Sequence, residues 1–186
     1  MVKAFRIALV LVSLGVASAL VAVEVGGVAM PATEVSDGKT LKLNGAGVRK
    51  KVIFKVYTAG LYLEKPSRDA AAILSADEHK VMRLHVLRSL KGEKLSAAIS
   101  EGFERNSKDQ IPKLAARLEK LKQMIPDVAE NDVILFAFLP DKGVRVTVRG
   151  TDRGTIEGRD FADALLSIWL GPNPVQEDLK KALLGG

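Results

Sequence analysis

The sequence predicts an α+β domain, a large antiparallel sheet with a helical layer. Three observations predict it. Strand-like alternation dominates the first half of the body, two amphipathic stripes of helical period occupy the middle, and three short strand runs precede two closing helices. This is not the regular strand–helix alternation of a parallel sheet. At 186 residues, 47% hydrophobic and 27% charged, the chain fits one globular domain that needs no disulfide or metal to hold its core.

The elements follow in order. Thr33-Glu34-Val35 reads as a short strand closed by the turn Ser36-Asp37-Gly38. Leu41 and Leu43 alternate with Lys42 and Asn44, a half-buried strand. Val52 to Leu63 is the strongest strand, β-branched and aromatic, stopped by Pro66. Arg68 to Ala76 is a short helix. His79 to Leu87 carries apolar residues on both faces and belongs inside the sheet. Leu95, Ile99, Gly102, Phe103 and Asn106 mark one helix, and Ile111, Leu114, Ala115, Leu118, Leu121 and Ile125 a second, with Pro112 in its first turn. Lys113, Arg117, Lys120 and Lys122 lie off that stripe, as a solvated outer face would have them. Val133–Leu139, Val144–Arg149 and Thr155–Glu157 are three strands, with turns expected at Asp141-Lys142-Gly143 and Asp152-Arg153-Gly154. Phe161–Leu170 and Val175–Leu184 are the closing helices.

The first 29 residues read as a secretory signal. Lys3 and Arg6 precede an apolar run from Ile7 to Val23, and small residues offer cleavage sites between Ala19 and Pro31. An uncleaved anchor is the alternative. The expected domain is then 30–186, periplasmic or secreted, with no later segment of membrane-span length. The net charge is +6, but the basic residues are scattered and no RNP-like strand accompanies them, so a nucleic-acid partner is not expected.

Composition excludes much chemistry. With no cysteine, thiol catalysis, zinc fingers and iron–sulfur clusters are out. His79 and His85 have no companions at ligand spacing, so no metal is expected. Gly45-Ala46-Gly47 lacks the third glycine and following helix of a dinucleotide loop, no serine sits in a G-x-S-x-G elbow, and no cofactor is implied. What remains is a pair of strands. If the first keeps its parity, Leu41, Leu43, Gly45, Gly47 and Arg49 share a face; a bulge at the glycines would reverse it. Thr58 and Tyr62 share a face of the second with Phe54, Val56 and Gly60. One arginine and one or two hydroxyls over an apolar floor describe a pocket for an amphipathic anion or a polarised carbonyl, with a structural ion pair for Arg49 as the alternative.

Asn44-Gly45-Ala46-Gly47-Val48-Arg49, followed by Tyr57-Thr58-Ala59-Gly60-Leu61-Tyr62-Leu63-Glu64, resembles the paired-strand motif of chalcone isomerases and their relatives. Arg88 to Leu95 is similar to that family's strand-to-helix passage, and Ile156-Glu157-Gly158 leading into Phe161–Gly171 to its C-terminal strand and helix. The resemblance covers essentially the whole body and implies an open-faced β-sandwich, a large antiparallel sheet with helices on one side. It also implies roles. In the plant isomerases an arginine and a threonine on these strands hold the ligand and stabilise enolate charge, and Arg49 and Thr58 match them. The family's catalytic tyrosine falls on Leu95 and its asparagine on Gly102; the late hydroxyl position falls on Ile168 or Ser167. Members without the full set include fatty-acid binders, in which the matching arginine meets the carboxylate.

The reading is therefore a chalcone isomerase-like domain that binds a small amphipathic molecule, a fatty acid or flavonoid-like compound, through Arg49, Thr58, Tyr62, Leu95 and Gly102, with little or no isomerase activity. The alternatives are an intramolecular lyase using Arg49 and Thr58 as its catalytic residues, and a structural or partner-binding domain without ligand.

Overall fold

A computed structural model of the chain describes residues 22–186. The basic start and most of the apolar run of the expected signal lie outside the described residues. β3 (Thr33–Ser36), β4 (Lys39–Lys51), β5 (Phe54–Leu63), β6 (Lys80–Val86), β7 (Val133–Leu139), β8 (Gly143–Val148) and β9 (Thr151–Glu157) form one seven-stranded sheet in chain order, antiparallel throughout. Before it, β1 (Ala22–Val25) and β2 (Val28–Pro31) make a separate hairpin. β6 is the fourth strand of seven, so both its edges are paired, and Val81 and Met82, on opposite faces, are both buried.

Five α-helices lie among the described residues, each turning an apolar stripe inward; only α1 carries a side-chain cap. α1 (Ala70–Ser75) starts at Asp69, whose carboxylate accepts from the backbone N–H groups of Ala71 and Ala72. α2 (Gly92–Asn106) and α3 (Ile111–Met124) turn Ile99 and Phe103, and Leu114, Leu118 and Leu121, onto the sheet. α4 (Arg159–Leu170) is buried along most of its length and is the central helix of the layer; Phe161 packs on Phe103 and Trp169 on Phe136. α5 (Glu177–Leu183) lies across β4. The outer face of α3 is solvated and paired: Arg117 grips Asp160 at 2.7 and 2.8 Å, Lys120 donates to the Thr155 carbonyl, and Lys122 meets Glu119. The Arg117 guanidinium holds the Asp160 carboxyl below its usual range.

Two expectations need correction. The strand expected from Val52 begins at Phe54; Val52 and Ile53 form the two-residue turn between β4 and β5, with Val52 at φ 57°. The β8–β9 turn is Arg149-Gly150, with φ of 53° and 74°, not Asp152-Arg153-Gly154. That tripeptide is a bulge inside β9, where the Asp152 carboxylate accepts from the Gly154 N–H at 2.8 Å. A two-residue loop matches the strand twist, so the closer turn wins.

The β1–β2 hairpin covers the sheet face opposite the helices. Met30 is 0% exposed, and a Cβ on Gly60 would lie 2.6 Å from its Cε. Tyr62 donates its hydroxyl to the Pro31 carbonyl at 3.0 Å, and Thr58 to that of Val25 at 3.3 Å. The boundary expected between residues 29 and 30 falls inside β2. Cleavage of the expected signal at Ala19 or Ala22 preserves the pairing of β2; cleavage after Ala29 removes it. Met30→Ala should therefore cost about 2–5 kcal/mol, the range for emptying a buried Met site, measured by urea melts of a chain starting at Ala22. A loss within experimental error would show that the hairpin contributes nothing to the core.

Candidate functional site

One residue sets the geometry of the site. Leu43 pairs with Tyr62 and Gly45 with Leu61, so Asn44 is the extra residue of a β-bulge. Its side chain fixes the bulge: Nδ2 donates to the carbonyls of Ser67 (2.9 Å) and Leu183 (2.8 Å), and Oδ1 accepts from the Ser67 N–H at 2.7 Å. A one-residue slip moves every later side chain to the other face. Leu41 and Leu43 thus pack with Tyr62 and Val81 on the hairpin side, whereas Gly45 and Gly47 face α5. A Cβ at Gly45 would strike the Ala182 carbonyl oxygen, and one at Gly47 would lie 2.7 Å from the Ala182 methyl carbon. The glycines let α5 lie directly on the strand.

The parity reversal aims Arg49 at the helix side, cross-strand from Tyr57. The half-buried Arg49 guanidinium donates to Gln176 Oε1 at 3.3 Å and to the Lys50 carbonyl, and among the described residues no carboxylate pairs with it. Tyr57 is 8% exposed. Its oxygen accepts from Trp169 Nε1 at 3.1 Å, and its own proton has no protein acceptor among the described residues. Burial pushes the Tyr57 hydroxyl above its ordinary range, against the opposing hydrogen bond from Trp169 and the charge of Arg49, so it stays protonated and able to donate. Beyond it lies an apolar cavity of about 40 Å³ whose wall includes Tyr57, Leu95, Ile99, Phe136, Ile168 and Trp169. Tyr57 brings a hydroxyl donor to the wall of this apolar space, and Arg49 stands cross-strand from it, outside the lining; the combination suits a carboxylate or polarised carbonyl carried on a hydrocarbon body.

The expected site residues divide accordingly. Arg49 and Leu95 are brought together at this cavity's surroundings, Arg49 beside Tyr57 and Leu95 in the wall. Thr58 and Tyr62 are not: both point to the opposite face, fully buried beneath the β1–β2 hairpin with their hydroxyls committed to Val25 and Pro31. The expectation that Arg49 and Thr58 flank one ligand is corrected by the register, which pairs Arg49 with Tyr57 and Val48 with Thr58. Gly102 is buried against Ile168, where a Cβ would lie 2.6 Å from Cγ1; it lets α2 approach α4 and does not line the cavity. Tyr57, Trp169 and Gln176 went unrecognised. Tyr57 was legible as the Arg49 partner once Asn44 was taken as the bulge; nothing local marks Trp169 or Gln176.

Comparison with known proteins agrees with this architecture. A family model described as chalcone isomerase-like matches residues 22–185. A solved structure of a fatty-acid binding protein from Arabidopsis thaliana is similar in fold, with a TM-score of 0.68 and 16% identity, over 85% of this chain and 92% of that one. No curated protein sequence matches.

Two substitutions test the site's construction by denaturant melts. Arg49→Ala should cost about 0.5–1.5 kcal/mol, the worth of ordinary hydrogen bonds, because no carboxylate is stranded; a loss of about 3–5 kcal/mol would reveal a buried ion pair. Gly45→Ala should be worse than Arg49→Ala, about 1–3 kcal/mol or more, because a methyl there collides with backbone and must lift α5. Equal or greater stability for Gly45→Ala would refute the close seating of α5 on β4.

Proposed function

The chain belongs to the chalcone isomerase-like family, and we propose that it binds a small amphipathic anion such as a fatty acid, with little or no isomerase activity. The observation that carries this reading is an apolar cavity walled in part by Tyr57, whose hydroxyl keeps a proton to donate, with Arg49 cross-strand from Tyr57 and without a carboxylate partner among the described residues. A carboxylate head would take charge-assisted hydrogen bonds from Arg49 and a further one from Tyr57, and the tail would lie among Leu95, Ile99, Phe136 and Ile168. The fold of the Arabidopsis fatty-acid binding protein supports the class of ligand.

The cavity's size sets a condition. An apolar void of about 150 Å³ accommodates one benzene, and this one is near 40 Å³. An alkyl chain is admitted only when the cavity's walls move apart, among them Leu95, Ala98 and Ile99 of α2 and Ile168 and Trp169 of α4. That small volume also favours a second reading, a structural or partner-binding domain without ligand.

The isomerase alternative is weakened by the same geometry. Thr58 lies across the sheet from Arg49, and Leu95 and Gly102 supply no polar group where the resemblance puts a tyrosine and an asparagine. Oriented donors to a developing oxyanion are usually the largest contribution to such a rate. Turnover of a 2′-hydroxychalcone should stay near the uncatalysed rate; efficient turnover abolished by Arg49→Ala would overturn this part of the proposal.

Calorimetric titration with a series of saturated fatty acids tests the binding. Arg49→Ala should weaken the best ligand by about 1.5–3 kcal/mol, and Tyr57→Phe by about 0.5–1.5 kcal/mol. No heat and no ligand-dependent shift in Tm for the unsubstituted chain would favour the structural reading. We also propose that the chain acts outside the cytoplasm, periplasmic or secreted, its signal cut so that β2 survives. N-terminal sequencing should then begin between Leu20 and Val23; an intact Met1 on a soluble cytoplasmic protein would refute export.

A further inference from the structure

The tip of the β4–β5 hairpin places three consecutive apolar side chains in water. Val52 is 88% exposed, Ile53 82% and Phe54 53%. Lys50, Lys51 and Lys55 flank them in sequence, all exposed, and the Arg88 guanidinium stacks over the Phe54 ring at 4.6 Å from its centroid. No acidic residue interrupts the stretch from Arg49 to Leu63, and none of these four cations forms an ion pair among the described residues. Val52 also holds φ at 57°, a backbone that glycine or asparagine adopts without strain and a β-branched residue does not. Neither folding nor solubility accounts for an apolar, strained turn at this position.

We propose that this tip docks the protein on an anionic lipid bilayer surface, with Val52, Ile53 and Phe54 in the headgroup–acyl boundary and Lys50, Lys51, Lys55 and Arg88 on the lipid phosphates. The pattern of a short apolar wedge ringed by cations matches an interface that is apolar within and anionic at its rim. A convex tip needs no complementary cavity in a fluid surface. A second copy of the chain suits it poorly, because pairing the tips would bring two sets of four cations together. Among the described residues no helix is long and apolar enough to cross a membrane, so this is surface docking. The tip also adjoins the candidate site: Gln176 Oε1 accepts from the Lys50 N–H at 2.9 Å and from Arg49. Docking by the tip therefore turns the Arg49 end of the molecule toward the membrane.

Co-sedimentation with vesicles of phosphatidylglycerol and phosphatidylcholine in equal parts tests the proposal, with pure phosphatidylcholine as the comparison. The unsubstituted chain should prefer the anionic vesicles, the more so at low salt. The double substitution Ile53→Ser with Phe54→Ser should lower binding at least tenfold, and Lys50→Gln with Lys51→Gln should reduce the preference for anionic lipid. Both pairs are exposed, so unchanged thermal melts should accompany the loss. Phe54→Trp gives a direct readout, since Trp169 is buried: its emission should shift to the blue with anionic vesicles. Several outcomes overturn the proposal. They are no vesicle binding by the unsubstituted chain, binding that the Ile53/Phe54 pair does not affect, a tip-dependent dimer in light scattering, or tip-dependent retention on polyglutamate with vesicles left unbound. The last would indicate an acidic protein partner. The vesicles contain no free fatty acid, so failure here and failure of the ligand titration are read separately.

Discussion

The side chain of Asn44 closes three hydrogen bonds, and the geometry of the candidate site depends on them. They hold one extra residue in β4, tie that strand to the chain leaving β5 at Ser67, and anchor α5 through the Leu183 carbonyl. Without the bulge, Arg49 would turn to the face that Val48 now takes, against Gly26 of the N-terminal hairpin. With it, the guanidinium reaches the helical side and meets Tyr57. The energy of three hydrogen bonds is modest; their consequence is geometric, since a half-period shift in a strand exchanges its two faces completely.

The two faces then serve different ends. On the helical side, Phe103, Phe136, Phe161 and Trp169 build a core with a small void beside the Tyr57 hydroxyl and the Trp169 indole N–H. These two satisfy each other, yet the phenol proton remains available. On the opposite side the hairpin seals Thr58 and Tyr62 completely, so the hydroxyls that look most like ligand contacts on paper act as pins for a covering strand pair.

Much of the fold was legible because its signals are local. The alternation of Lys80 to Val86, the stripe of Leu114, Leu118 and Leu121, and the sequence from Ile156 into the central helix each specify an element within a few residues. The site was legible only in part, for a physical reason. Arg49 was identifiable as a cation in an apolar row, but its face depended on a bulge whose stabilising partners, Ser67 and Leu183, lie far away in sequence. Parity reasoning has no access to such partners; it assigns Thr58 and Tyr62 to the pocket, where the bulged register brings Tyr57 instead. The turn at Val52-Ile53 was hidden for the converse reason: its residues have strand propensity, and only the pairing of Lys51 with Phe54 shows the chain reversing there.

The contact between Asn44 and Leu183 spans 139 residues, whereas β3–β4, β4–β5, β7–β8 and β8–β9 each pair through a turn of a few residues. Sequential hairpins close short loops and form early; a clasp between distant segments bears a larger closure entropy and forms late. A seven-residue helix such as α5 cannot sustain its own helicity, so it is ordered only while docked on Gly45 and Gly47. It follows that the clasp can release by itself, leaving the meander intact beneath it. Because Gln176 lies at the start of α5, such a release would loosen the surroundings of Arg49 before any strand separates.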